Sequence, residues 1–186
     1  MALFNTRATW GWPAKLLHWL IAVLVVGLLT VGFAMVWFVS DLGAKFQLYQ
    51  LHKSFGVLVL TLVLIRLLWR QMNAAVPDLP EGLQPWERRA ATLTHRGFYV
   101  LLVLMPITGW LVASASPLGI PTVVFGLFTL PNPVGANAVL EDVMAWVHGG
   151  LAVLLLMLLL LHVGAALKHH FVLHDDVLTR MLPGGG

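Results

Sequence analysis

Trp146-Val-His148-Gly-Gly-Leu-Ala-Val-Leu-Leu-Leu-Met-Leu-Leu-Leu-Leu-His162 decides how this chain is read. Two histidines are separated by nothing but glycine and apolar residues. The apolar run around them extends from about Val143 to Leu167, and a bilayer core takes about 20 such residues as a helix. Fourteen positions make almost four helical turns, so His148 and His162 share one face and stand about 21 Å apart along the axis. Ionisable groups inside a span are costly and are therefore candidates for function.

Working outward, three more segments qualify as spans: about Leu16–Val39, Leu51–Trp69 and Phe98–Ser116. The chain has 186 residues, the size of one domain. It is 59% hydrophobic and only 10% charged, where a soluble domain carries roughly 25% charged residues. A water-soluble enzyme, a disordered chain and a nucleic-acid binder are all excluded as the main reading. The expected fold is all-α, an integral membrane four-helix bundle in a single domain surrounded by lipid. The first span is too long for a signal peptide and no small-residue cleavage site follows it. Cysteine is absent, which removes disulfides, iron–sulfur clusters, thiolate zinc sites and covalent c-type haem. The chemistry falls to eight histidines.

Basic residues set the orientation. Arg7, Lys15, Arg66, Arg70, Arg88, Arg89, Arg96, Lys168 and Arg180 lie on one side, against Lys45 and Lys53 on the other. Positive charge stays inside, so both termini are expected in the cytoplasm. Trp10, Trp12, Trp19 and Trp69 suit an inner aromatic belt, and Trp37 and Trp146 an outer one. The outward loop Pro117–Asn137 is expected to pack on the membrane face. Trp86-Glu-Arg-Arg reads as a short interfacial helix leading into the third span.

Topology pairs the histidines. His18 and His162 both fall in the inner half, His52 and His148 in the outer half. Two imidazoles from facing helices can close both axial positions of a haem iron, and two such pairs across a bilayer make an electron wire. The residue one turn after each is small: Ala22, Gly56, Ala152 and Ala166. That leaves room beside the ligand on the same face. The bland alternative is four histidines that hydrogen-bond between helices. A zinc or copper site would need three or more ligands at one depth, with carboxylate or thiolate help that the spans lack.

Other residues have narrower readings. Arg66 follows His52 by 14 positions, which suits pairing with a haem propionate or simple snorkelling. His95, Arg96, His169 and His170 crowd the inner interface, where a quinone would find hydrogen-bond donors and protons or lipid headgroups would find a polar cluster. His174 with Asp175 and Asp176 reads as a solvated tail. Lys45 and Lys53 would attract a small anion approaching from outside.

The stretches Leu17-His18-Trp19, His52-Lys-Ser-Phe-Gly56 with Arg66, His95 through Tyr99 to Pro106-Ile-Thr-Gly109, Trp146-Val-His148 and His162-Val-Gly-Ala-Ala-Leu-Lys-His-His-Phe171, then Asp176 and Arg180-Met-Leu-Pro183, span nearly the whole chain. Together they resemble the bacterial cytochrome b561 family. The resemblance implies two b haems with His18, His52, His148 and His162 as axial ligands, and His169 as part of a quinone site. It also implies an oxidoreductase in a respiratory chain that takes electrons from superoxide at the outer face and passes them to ubiquinone. The competing reading is a cytochrome b subunit that anchors a larger complex, such as a hydrogenase or formate dehydrogenase. That role needs a protein partner docked outside, for which the loop 117–137 is short and uncharged.

Overall fold

The computed structural model describes residues 2–73, 75–80 and 82–184. Four long helices make the bundle: α1 (Trp12–Trp37), α2 (Leu42–Met72), α3 (Pro85–Ala115) and α4 (Ala138–Lys168). All four are long and apolar enough to cross a membrane. Large apolar side chains point outward along each of them, Trp37 and Trp146 being 74% and 84% exposed at the outer ends. An outward apolar surface of this extent is stable only against lipid.

The helices run past the spans expected from hydropathy because their ends carry their own start signals. Asp41 accepts a hydrogen bond from the Ala44 amide at 2.7 Å and so starts α2 nine residues before the apolar run. Gln84 and Glu87 form a capping box, with Pro85 at the first turn of α3. Trp86-Glu-Arg-Arg starts a helix as expected, but not a short one of its own. It is the first turn of α3, which runs unbroken to Ala115 and through Pro106.

Close backbone packing runs α1 on α2, α2 on α3 and α3 on α4. Ile21, Val25, Leu29, Val59, Val63, Leu101 and Leu155 form the central core, drawn from all four helices. The loop between α3 and α4 holds a hairpin, β1 (Thr122–Val124) antiparallel to β2 (Phe128–Leu130). Its turn puts Phe125 and Gly126 at φ 49° and 72°, the pattern of a type I′ turn. Phe125 tolerates that backbone because it is held at both ends. Its amide donates to Ser54 Oγ at 3.1 Å and its ring packs edge-on to Phe55 at 5.1 Å. The hairpin thus sits on the outer part of α2, where Lys53 Nζ donates to the Pro121 carbonyl at 3.2 Å.

At the other end, the N-terminal segment, the α2–α3 connection and the C-terminal segment are tied together. Asp78 N–H donates to Arg7 O at 2.9 Å, and Arg180 donates to Asp78 O at 2.8 Å. Lys15 and Trp19 of α1 donate to Leu182 O and Met181 O at 3.2 and 2.9 Å. His174 and Asp176 of the expected solvated tail are exposed, but the segment is folded and Asp175 is half-buried. A π-helical turn (His169–Leu173) and a short 3-10 turn (Thr179–Met181) follow α4, and Asp176 pairs with Arg180 at 2.7 Å. Gly185 and Gly186, the end of the glycine tail, lie outside the described residues.

Candidate functional site

Helix α4 has histidines 14 residues apart on one face, and each meets a histidine from a different helix. His148 faces His52 of α2 with ring centroids 6.4 Å apart. His162 faces His18 of α1 at 6.0 Å. These pairs bridge the looser gaps of the bundle, α2 to α4 and α1 to α4, and not the tightly packed helix neighbours. A metal–imidazole bond is about 2 Å long, so two rings trans to one metal have centroids about 6 Å apart once the ring radii are added.

Neighbours hold the outer pair in place. Thr108 Oγ donates to the backbone carbonyl of Leu104 or Met105, each 3.0 Å away. Its lone pair is then left to accept from Nδ1–H of His148, also at 3.0 Å. That contact directs Nε2 of His148 away from Thr108 as the free ligand nitrogen. A Cβ on Gly109 would stand 3.1 Å from Cε1 of His148, and one on Gly32 would stand 3.3 Å from Cε1 of His52. Two glycines therefore make the space in which the two imidazoles sit. Nδ1 of His52 is buried without a hydrogen-bond partner. One turn beyond it, no atom lies within 4 Å of the place a Gly56 Cβ would take.

The inner pair sits in a more polar setting. His95 of α3 places its ring 5.5 Å from that of His162, and Phe98 packs edge-on to His162 at 5.3 Å. Arg66 is close enough for its charge to act on His18, His95 and His162. Its Nε donates to Tyr99 Oη at 3.4 Å, while the Arg70 guanidinium lies 5.7 Å from the Tyr99 ring centre. Arg96, one position on from His95, is a quarter-turn or more away on the helix and joins Arg88 and Arg89 along an outward-opening groove with Thr92 and Leu93. His169 stands where α4 becomes π-helical, its Nδ1 2.5 Å from Asp175 Oδ2. Among the described residues no group of three or more His, Asp or Glu side chains is arranged to hold a metal ion.

A family profile described as prokaryotic cytochrome b561 matches residues 9–184. The chain belongs to the prokaryotic cytochrome b561 family. It is 35% identical over 182 residues to "Cytochrome b561 homolog 2" of Escherichia coli K12, covering 98% of this chain and 95% of that one. It is 31% identical over 173 residues to "Probable superoxide oxidase CybB" of Yersinia pestis, covering 90% and 92%. A third relative, "Cytochrome b561 homolog 1" of E. coli K12, is 24% identical over 167 residues. Membership makes this b561 cytochrome a multi-pass electron-transfer protein of the bacterial inner membrane and implies haem b. The residues fit such a group: paired imidazoles at the right separation, an orphaned buried Nδ1, and open space beside Gly56.

Gly32, Thr108, Gly109 and Asp175 had no functional role in the sequence reading. Thr108 and Gly109 lie in a stretch that carries the family resemblance, yet their partner His148 is 40 residues from Thr108. Nothing local in the sequence links them.

Proposed function

We propose that this cytochrome carries single electrons from a donor at the outer face, superoxide, to ubiquinone at the inner face. The observation that carries the reading is the presence of two facing imidazole pairs, at 6.4 and 6.0 Å, on one face of α4. His52 and His148 would hold an outer haem b, His18 and His162 an inner one. Haem b supplies one-electron redox chemistry without a covalent link to the chain.

The chain's own residues do the rest. Thr108 fixes the ring orientation of His148. Arg66, with Tyr99, would meet the propionates of the inner group. Lys45 and Lys53 give the outer end its positive charge and would draw in an anion. His169 would contact the quinone, with His95 nearby on the inner side. Arg96 would serve its rim or the lipid headgroups around it. With the basic segments held in the cytoplasm, protons for quinone reduction come from that side. The name of the Yersinia pestis relative supports superoxide as donor.

The test is haem quantitation with a reduced-minus-oxidised spectrum on the purified protein. Two haems per chain, both released by acid–organic extraction, are expected. A ratio near one in well-folded protein would overturn the two-pair assignment.

A further inference from the structure

The C-terminal segment folds back in an unusual way. After α4 the backbone makes a π-helical turn, and His174 takes a left-handed conformation at φ 53°. The amides of His174 and Asp175 both converge on the carbonyl of His169, the latter at 3.2 Å. The result is a carboxylate returned to the imidazole six residues before it: Asp175 Oδ2 is 2.5 Å from His169 Nδ1. Its other oxygen accepts from the Val177 amide at 3.1 Å, so the carboxylate cannot swing freely. Both side chains are largely shielded, 16% and 20% exposed.

This pair is not needed to hold the tail. Lys15, Trp19 and Arg180 already anchor residues 176–182 to the rest of the protein by three separate bonds. Glu87 of α3 also brings its charge near His169, but its bonded partner is Lys168, at 3.0 Å. Asp176 is engaged by Arg180.

We propose that Asp175 is a positioning residue for His169, one that fixes its tautomer for proton delivery to a quinone. The proposal rests on the assignment of His169 to the quinone made above. An ionised carboxylate only accepts hydrogen bonds, so Nδ1 must carry the proton. Nε2 then bears a lone pair in the neutral ring and a proton in the cation, and it is the nitrogen free to face substrate. In the step proposed, a quinone oxygen that has gained an electron takes the proton from Nε2. The Nε2–H bond breaks, an O–H bond forms, and His169 regains a proton from cytoplasmic water. Two electrons from the proposed transfer chain and two such protons complete the quinol. The fixed carboxylate steadies the imidazolium between deliveries, as an orienting acid does for a histidine base. His169 lies two turns past His162, about 10 Å along the axis, so the proton donor stands near the inner end of the electron path.

The experiment uses the full haem-loaded protein in detergent, chemically reduced and then mixed with ubiquinone-1 in a stopped-flow instrument. Asp175→Asn keeps an oxygen acceptor but removes the charge. Its maximal rate of reoxidation should fall about tenfold with the KM for ubiquinone-1 within twofold, and its solvent deuterium effect should grow. Asp175→Glu should recover most of the rate. Unchanged rate and isotope effect in Asp175→Asn would overturn the proposal. So would equal rate losses in both variants with new tryptic cleavage after Lys168 or Arg180, which would mark a tail clamp only. His169→Ala separates the two levels: if neither rate nor KM responds to it, the quinone assignment itself is wrong. If His169→Ala is slow and Asp175→Asn is not, only the role of Asp175 is wrong.

Discussion

A Cβ on Gly109 would stand 3.1 Å from Cε1 of His148 and 3.4 Å from its Nδ1. Alanine is the better helix former by about 1 kcal/mol, so in an indifferent place Gly109→Ala would stabilise α3. Here it presses on a ring whose Nδ1 is also held by Thr108. We expect Gly109→Ala to displace the imidazole by a few tenths of an ångström, lowering occupancy of the outer haem or shifting its potential while the inner one is unaffected. Redox titration with haem quantitation checks this. Gly97→Ala is the control. Its Cβ would meet Leu158 Cδ2, also at 3.1 Å, but that is the end of a flexible side chain. It should keep both haems at full occupancy.

Thr108→Val removes one partner of the His148 ring N–H, the Met105 carbonyl being another, and keeps the shape. Losing such a partner weakens a metal-ligating histidine, typically by about tenfold or more in affinity. The ring also becomes a poorer electron donor, so the outer haem should titrate at a higher potential in Thr108→Val. Thr108→Ser should restore the parent value. An outer potential identical in all three proteins would remove Thr108 from the site.

Ring geometry alone does not say which histidine partners His162. His95 is nearer at 5.5 Å, against 6.0 Å for His18. His18 is the ligand proposed: it faces His162 across the looser α1–α4 gap, while His95 lies on α3, which packs directly on α4. His18→Ala and His162→Ala should therefore abolish the inner haem component and spare the outer. His52→Ala and His148→Ala should do the reverse, and His95→Ala should retain both. Loss of the inner component in His95→Ala with retention in His18→Ala would reassign the ligand.

Much of this was legible in the sequence because the membrane imposes strict rules. Apolar runs gave the four spans, and charge asymmetry grouped Arg7 and Arg180 at one end, where both are bonded to Asp78. The depths of His18, His52, His148 and His162 gave the pairs that now face one another. Helix ends were not legible, because Asp41 and the Gln84–Glu87 box extend α2 and α3 beyond the apolar runs. Contacts set by tertiary approach were hidden too. Gly32 and Gly109 look like apolar filler until the facing imidazole is placed. In the tail, polarity correctly suggested solvent for His174 and Asp176 but hid the bonds the segment makes. Asp175 and Asp176 in fact each have a fixed cationic or imidazole partner.

The last expectation concerns the donor. Lys45 and Lys53 are eight residues apart, about two turns of α2, and are the basic residues of the outer side. If superoxide is the donor, its approach is steered by this charge, and screening over roughly 8–10 Å at ordinary salt weakens it. Reduction of the outer haem by generated superoxide should slow as ionic strength rises. Lys45→Glu with Lys53→Glu should slow it several-fold further and reverse the salt dependence, because screening then weakens a repulsion, while quinone-linked oxidation at the inner end stays intact. Lys53 also holds the Pro121 carbonyl, so charge must be separated from the hairpin's position. Lys53→Arg keeps both charge and donor and should behave as the parent, whereas Lys53→Gln keeps a donor alone and should lose part of the steering. A stopped-flow series indifferent to salt and to all these variants would argue against a small anion. It would favour a protein donor docked on the hairpin side, and with it the reading of this cytochrome as the membrane anchor of a larger complex.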